Sequence, residues 1–208
     1  MVPMTPRRSD ALSRERIVEA AVRILDTKGE GGLTLRAVTA HLSTGRGAIY
    51  HHVTNKEELL AAAADDVIRA VVTGDSVRDL ALGIFDAIDV HPWLGAQLAR
   101  DPSQPAVLRI FKSVGVGLRT HGLAGTALSD AGAALVNYVL GAAAQHAAGA
   151  RQAAGESARE DYLEALAAEW AGSDDDPLVQ EAAALLPGHD DRAQFLAGVD
   201  IFLRGISG

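Results

Sequence analysis

No cysteine occurs among the 208 residues. Its absence removes disulfide frameworks, thiol nucleophiles, iron-sulfur clusters and cysteine zinc sites together, and fits a reducing compartment. Aromatic residues are scarce at 4%, and all except Tyr50 lie beyond residue 80. An excess of positive charge is also lacking. The 19 Lys and Arg face 27 Asp and Glu, for a net charge of −8, which argues against a protein that coats nucleic acid with its whole surface. Arg7 and Arg8 precede no apolar stretch, so neither a secretory nor a transit leader is expected and the cytoplasm is the expected location. HExxH, GxGxxG and P-loop patterns do not occur, and no cofactor or metal is expected.

The longest lipid-like stretch, Ala131 to Ala150, is about long enough to span a bilayer. It contains Asn137, Gln145 and His146 and is otherwise mostly Ala and Gly. The expectation is a buried helix of a soluble bundle, whose small residues let backbones approach closely, and no membrane partner.

The charge is unevenly distributed. Residues 1–60 hold nine Lys or Arg against seven Asp or Glu, whereas residues 61–208 hold ten against twenty. Stopping at residue 56 raises the first segment to +4 and includes three of the seven His. A small basic face at one end of an acidic body is implied.

With 48% hydrophobic residues the chain can fill one large domain or two small ones. Apolar spacing predicts helices and no convincing strand. Ser13 caps a first helix of about Arg14 to Lys28, ended by Gly29. Thr34 caps a short second helix with Leu35, Val38 and Leu42 on one face. Ser43, Thr44 and Gly45 break the pattern, and Arg46 to Val53 resumes it. Thr54 and Glu57 fit a capping box ahead of a fourth helix that starts near Asn55. Further helices are expected at Ser76 to Asp89, Trp93 to Ala99, Pro105 to Thr120, Leu128 to Arg151, Ala158 to Trp170, Pro177 to Leu185 and Asp191 to Arg204. Gly172 to Asp176 is expected as a surface loop, Thr73-Gly74-Asp75 as a break, and residues 1–12 as a mobile arm.

Residues 34–53 thus have helix-turn-helix spacing. Two helices packed without nucleic acid would satisfy the same spacing. Contact with DNA is favoured by the outward set Arg36, Arg46, Tyr50, His51, His52 and Lys56, donors crowded around a short helix whose apolar side is already used by Ile49 and Val53.

The stretch Ser13 to Leu60 resembles the TetR family of transcriptional repressors. The resemblance is carried by Gly32-Leu33-Thr34-Leu35-Arg36 at the entry to helix two and by the run Arg46 to Leu60, with Tyr50, His52 and Lys56 as its most specific signature; Gln194 to Ile206 resembles the family's final helix. Ser43 stands where the family usually has Gly, Thr39 where it has Ala and Val53 where it has Phe. The resemblance implies an all-α fold: a three-helix DNA-binding domain at 13–58 and a helical effector-binding and dimerisation domain at 59–208. It implies a homodimer on double-stranded DNA, at an operator that is an inverted repeat, released by a small apolar or aromatic effector. Arg36, Arg46, Gly47 and Ala48 are then expected at base edges, and Thr34, Tyr50, His52 and Lys56 at phosphates. The expected dimer interface is Leu128 to Arg151 with Asp191 to Arg204, using Phe195, Val199, Phe202 and Leu203. His91, Trp93, Phe111, Asn137, Tyr138 and His146 are the expected effector pocket, with Gln145 as a further polar group.

Two other classes compete. His51-His52, Asp65-Asp66 and His189-Asp190 could serve a metal-dependent helical phosphohydrolase, although Asp190 or Asp191 reads more simply as a helix cap. A helical adaptor that uses the helix-turn-helix to bind protein is the other.

Overall fold

The computed structural model describes residues 12–72, 76–152 and 156–206; the expected arm before Leu12 and the expected break at 73–75 lie outside them. All regular elements among these residues are helical. In chain order they are α1 Arg14–Gly32, α2 Leu35–His41, α3 Arg46–Tyr50, α4 Lys56–Val71, α5 Val77–Val90, α6 Trp93–Arg100, α7 Pro105–Thr120, α8 Gly125–Gln152, α9 Glu156–Ser173, α10 Pro177–Leu185 and α11 Asp191–Ile206, with a 3-10 turn at Leu186–Gly188 before α11.

Capping side chains set many of the boundaries. Ser13, Thr34, Ser76, Asp176 and Asp190 each accept a backbone N–H from the first turn of the helix that follows. Pro105 and Pro177 occupy first-turn positions, where no amide hydrogen is needed. The regular part of α1 ends as expected at Lys28, because Gly29 has φ 63°, but one further turn follows to Gly32. Leu12, assigned to the arm from sequence, packs against the core.

Three local expectations shift. The cap of α4 is Asn55, not Thr54: Asn55 Oδ1 accepts the Glu58 N–H at 2.8 Å, and Glu58 Oε2 accepts the Thr54 N–H at 2.8 Å. The cap sits one residue later, and Glu58, three residues beyond it, reaches back to the N–H of the residue before the cap. α3 is five residues long and ends at Tyr50, although Val53 N–H still reaches Ile49 O at 3.0 Å. α8 and α9 start two to three residues early, and α9 runs on through Gly172 and Ser173, shortening the loop.

One apolar core runs from α1 to α11. Ile17, Leu25, Val38 and Ile49 fill its DNA-domain end; α4 bridges to the body with Leu59, Leu60 and Ile68, and Ile84, Ile88, Leu94 and Ile110 fill the rest. The helix over Gly125–Gly149 is long and apolar enough to cross a membrane by length and composition. In this fold only one side of it is covered: Leu135, Val136, Val139, Ala143 and Ala147 are buried, whereas Ala133, Ala134, Asn137 and Gln145 are exposed.

Candidate nucleic-acid interface and body cleft

α2 and α3 are joined by a turn in which Ser43 has φ 50°, a left-handed conformation that glycine adopts without strain. The turn leaves α3 across the end of the core, anchored by Ile49 and, just beyond its end, Val53, each 1% exposed. Its outer side is open. A Cβ on Gly47 would meet nothing within 4 Å, Tyr50 is 54% exposed, His51 is exposed, and Ala48 and His52 are half-buried. Arg36 lies exposed on α2, and exposed Thr34 caps that helix with its Oγ1 accepting the Ala37 N–H at 3.0 Å. Arg46 is the first residue of α3; its side chain lies outside the described residues.

Lys56 is half-buried, and its Nζ donates to Glu30 O at 2.9 Å, tying the start of α4 to the end of α1. An ammonium has three donors, so two remain for a phosphate. Glu58, assigned no role from sequence, holds the Thr54 N–H and pairs with Arg14 at 3.2 Å, fastening α4 to the start of α1. These contacts, led by the Thr54 N–H, hold its carboxyl below the usual carboxylate range. The spacing Asn55-x-x-Glu58 is the signal that could have identified it.

A second framework joins this unit to the body. Asp26 Oδ1 on α1 lies 2.7 Å from both His91 Nδ1 and Trp93 Nε1, and Glu30 pairs with Arg100 at 2.7 Å. Both ends of α6 are thereby pinned to α1. Of the six expected pocket residues, His91 and Trp93 therefore stand at this joint, and Phe111 lies on the surface of α7, 42% exposed.

Asn137, Tyr138 and His146, with Gln145, come together in a cleft of about 760 Å³ between α8, α9 and α11. Along its wall His146 stacks on Phe85, Phe85 on Phe195 and Phe195 on Tyr138, with ring centroids 4.6–5.7 Å apart. Tyr138 donates to Phe195 O at 2.9 Å and lies so close to α11 that a Cβ on Gly198 would be 1.9 Å from its hydroxyl oxygen. At one end His146 Nε2 is 2.6 Å from Asp89, and its Nδ1 is 3.2 Å from Asp191, within ion-pair range but not aligned for a hydrogen bond. Arg159 and His189 also pair with Asp191. Asp191, opposed by burial, and Asp89 raise the His146 pKa above its usual value. Burial pushes Asp191 up, but His146, Arg159 and His189 outweigh it and lower its pKa.

The family model for bacterial regulatory proteins of the tetR family matches residues 17–63. A transcriptional regulator of the helix-turn-helix type from Saccharopolyspora erythraea is 30% identical over 169 residues, 74% of this chain and 72% of that one. A solved structure of a TetR transcriptional regulator from Streptomyces coelicolor is 46% identical, covers 95% of this chain and 98% of its own, and superposes with a TM-score of 0.84. The chain belongs to the TetR family. A structure of BioQ with its natural double-stranded DNA operator is 27% identical over 68% of this chain and 91% of its own, with a TM-score of 0.57. As a TetR-family chain the protein is a DNA-binding transcriptional regulator, and members of this family are ligand-responsive dimers.

The residues considered for a phosphohydrolase do not converge in the TetR-family fold. Asp65 accepts hydrogen bonds from Arg69 and Arg109; burial raises its pKa, but the two guanidiniums outweigh that and lower it. His51 and His52 follow the end of α3, and Asp190 caps α11 by accepting the Ala193 N–H at 2.9 Å. No group of three side chains able to hold a metal ion exists among the described residues.

Phe195 and Val199, expected at the dimer interface, are buried inside the chain itself at 3% and 0% exposure. α11 turns Phe195 onto Phe85 and Tyr138, buries Val199 in the core, and leaves Gln194, Ala197 and Ile201 facing out.

Proposed function

We propose that this TetR-family chain acts as a homodimeric repressor that reads an inverted repeat with α3 and acts by binding, not catalysis. The observation that carries the reading is the placement of α3: it is held by Ile49 at the end of the core with Gly47, Tyr50 and His51 open to a groove. Arg46 and Arg36 would meet base edges, where a guanidinium bidentate to guanine discriminates by about 1–3 kcal/mol. Gly47 and Ala48 add little bulk and permit close approach. Thr34, Tyr50, His52 and Lys56 would hold phosphates and set the register. We assign 13–58 to DNA reading and 59–208 to effector response and dimerisation. Operator DNA and the lack of cysteine both fit work in the cytoplasm.

One short helix reads few base pairs, so two copies about one DNA turn apart are needed. The cleft supplies the seat for the second copy. Its open sides are the exposed edge of α8, with Asn137, Gly141 and Gln145, and that of α11, with Gln194, Ala197 and Ile201. None of these six side chains is charged, and Ile201 is 63% exposed, a surface suited to another protein. Asn137, Tyr138 and His146, expected from the family resemblance to meet the effector, line the same cleft beside that seat.

Selection of duplexes from a random pool by the purified protein tests the reading, with Arg46→Ala and Tyr50→Phe beside wild type. Wild type should enrich an inverted repeat. A folded, dimeric protein that enriches nothing at low salt would put the adaptor reading first.

A further inference from the structure

The end of α1 is held from two sides, and one of its holders is the lysine assigned to phosphate. Gly29, at φ 63° and ψ −174°, interrupts the helix, and Glu30, Gly31 and Gly32 make a last turn beyond it. Three of the four residues from 29 to 32 are glycine, so this turn has little stiffness of its own. Glu30 ties it down with two groups. Its carboxylate accepts from Arg100 Nη2 at 2.7 Å, at the last residue of α6. Its carbonyl accepts the Leu33 N–H at 3.2 Å and Lys56 Nζ at 2.9 Å, at the first residue of α4. On the near side of Gly29, Asp26 meets His91 and Trp93 from the other end of α6. α6 therefore splints α1 across its kink, and Arg100 fixes the far part. Arg100, opposed by burial, holds the Glu30 carboxyl below the usual carboxylate range, and Lys56 adds to that lowering. The Arg100 and Glu30 side chains are 46% and 41% exposed, so their pairing adds little to global stability.

We propose that Arg100 and Glu30 are positioning residues for DNA binding: Arg100 fixes the last turn of α1, and the Glu30 carbonyl in that turn orients the Lys56 ammonium toward a phosphate. The inference rests on the DNA-binding reading and on Lys56 as a phosphate contact; neither Arg100 nor Glu30 touches DNA in it. A lysine stem is long and flexible, and a free one loses much rotamer freedom when it meets a phosphate. One donor already held on Glu30 O restricts the stem beforehand and leaves the other two in set directions. Loss of Arg100 releases the glycine-rich turn, and the carbonyl no longer pre-sets the ammonium. Charge alone predicts the opposite sign at one of the two positions. Removing the Glu30 carboxylate takes a negative charge away from the end that meets DNA and, without a positioning role, raises affinity for a polyanion.

Binding of the full-length protein to the duplex that wild type enriches, measured over a salt series, tests the inference. Glu30→Ala and Arg100→Gln should each weaken binding by about threefold to fivefold while melting temperature holds. The double variant should bind no more weakly than either single one. Arg100→Lys, which keeps the charge and one donor for Glu30, should restore most of the affinity. On a Lys56→Ala background neither change should weaken binding further. Unchanged or tighter binding by Glu30→Ala overturns the inference, because charge then outweighs position. The full loss retained on the Lys56→Ala background also overturns it, since the pair would then act on α3 or on DNA directly. Lys56→Ala that binds as wild type does removes the contact being positioned and leaves the DNA-binding reading standing. Wild-type protein that binds no duplex would sink that reading, and the inference with it.

Discussion

α3 is five residues long and relies on Ile49 and the adjacent Val53 to hold it, whereas α8 runs for 28 residues and buries Leu135, Val136, Val139, Ala143 and Ala147. Each is half-covered by its own chain and half-open, and the open halves differ. Around α3 stand Arg36, Tyr50, His51 and Lys56, hydrogen-bond donors suited to phosphates and base edges. α8 shows Asn137, Gly141 and Gln145, small or amide residues suited to another helix. Burial alone does not distinguish a DNA-facing helix from a protein-facing one; the residue types on the open side do.

The sharpest way to break that contrast is to remove the anchor of α3 and leave its donors. Ile49→Ala should cost about 2–5 kcal/mol in urea denaturation and abolish duplex binding at temperatures where the body still gives a helical circular dichroism signal. α8 has several anchors, so Val139→Ala should lower stability and spare operator binding. If Ile49→Ala bound operator normally, the dependence of α3 on that side chain would be wrong.

Arg46→Ala sharpens the DNA side. Competition between the selected duplex and single-base variants should show about 1–3 kcal/mol of discrimination lost at one position of each half-site. Lys56→Ala should weaken all duplexes alike and reduce the slope of log affinity against log salt by about one phosphate contact. Changed base preference without a changed salt slope in Lys56→Ala would refute its phosphate assignment.

Gly198 sharpens the body side. Tyr138 lies over it with no room for a methyl group, so Gly198→Ala should lose about 1–3 kcal/mol through overpacking. The pair Gly198→Ala with Tyr138→Ala should lose less than the sum of its parts, because each removes the reason for the other's cost. Strict additivity would mean that the clash is relieved some other way.

The His146 clamp of α5 to α11 predicts a pH effect of known sign. Asp191, opposed by burial, and Asp89 raise its folded pKa above 6.5, so the stabilisation is complete below that unfolded value and fades as pH rises through the raised one. The melting-temperature gap between wild type and His146→Gln should be widest near the acid end of a scan from about pH 6 to about pH 9. A gap that widened with pH would contradict the clamp.

Helix boundaries were legible because they are local: a cap or a proline acts within four residues, and Ser76, Pro105, Asp176 and Asp190 act where their types predict. Partners across the fold were not. The family resemblance places His91 and Trp93 in the expected effector pocket, and nothing in their own stretch of sequence names a partner. Their actual partner, Asp26, is more than sixty residues away. Sidedness failed for the same reason at α11, where Phe195 and Ile201 are equally apolar and only packing against Phe85 and Tyr138 decides which is buried.

The smallest effect expected lies between α2 and α3. Ser43 holds φ 50°, a conformation costing a residue with a Cβ roughly 1–2 kcal/mol. Glycine escapes that cost but gives up roughly 0.5–1 kcal/mol through the greater freedom of its unfolded chain. Ser43→Gly should therefore stabilise by up to about 1 kcal/mol, seen as a higher urea midpoint with an unchanged slope. Operator affinity should hold or rise slightly, because the substitution relaxes the backbone that aims α3 and removes no donor assigned to DNA. Ser43→Val, β-branched at the same positive φ, should move the midpoint the other way. Were Ser43→Gly to lose stability, the strained turn would not be limiting, and the Ser43 hydroxyl would have to make a contact that outweighs it.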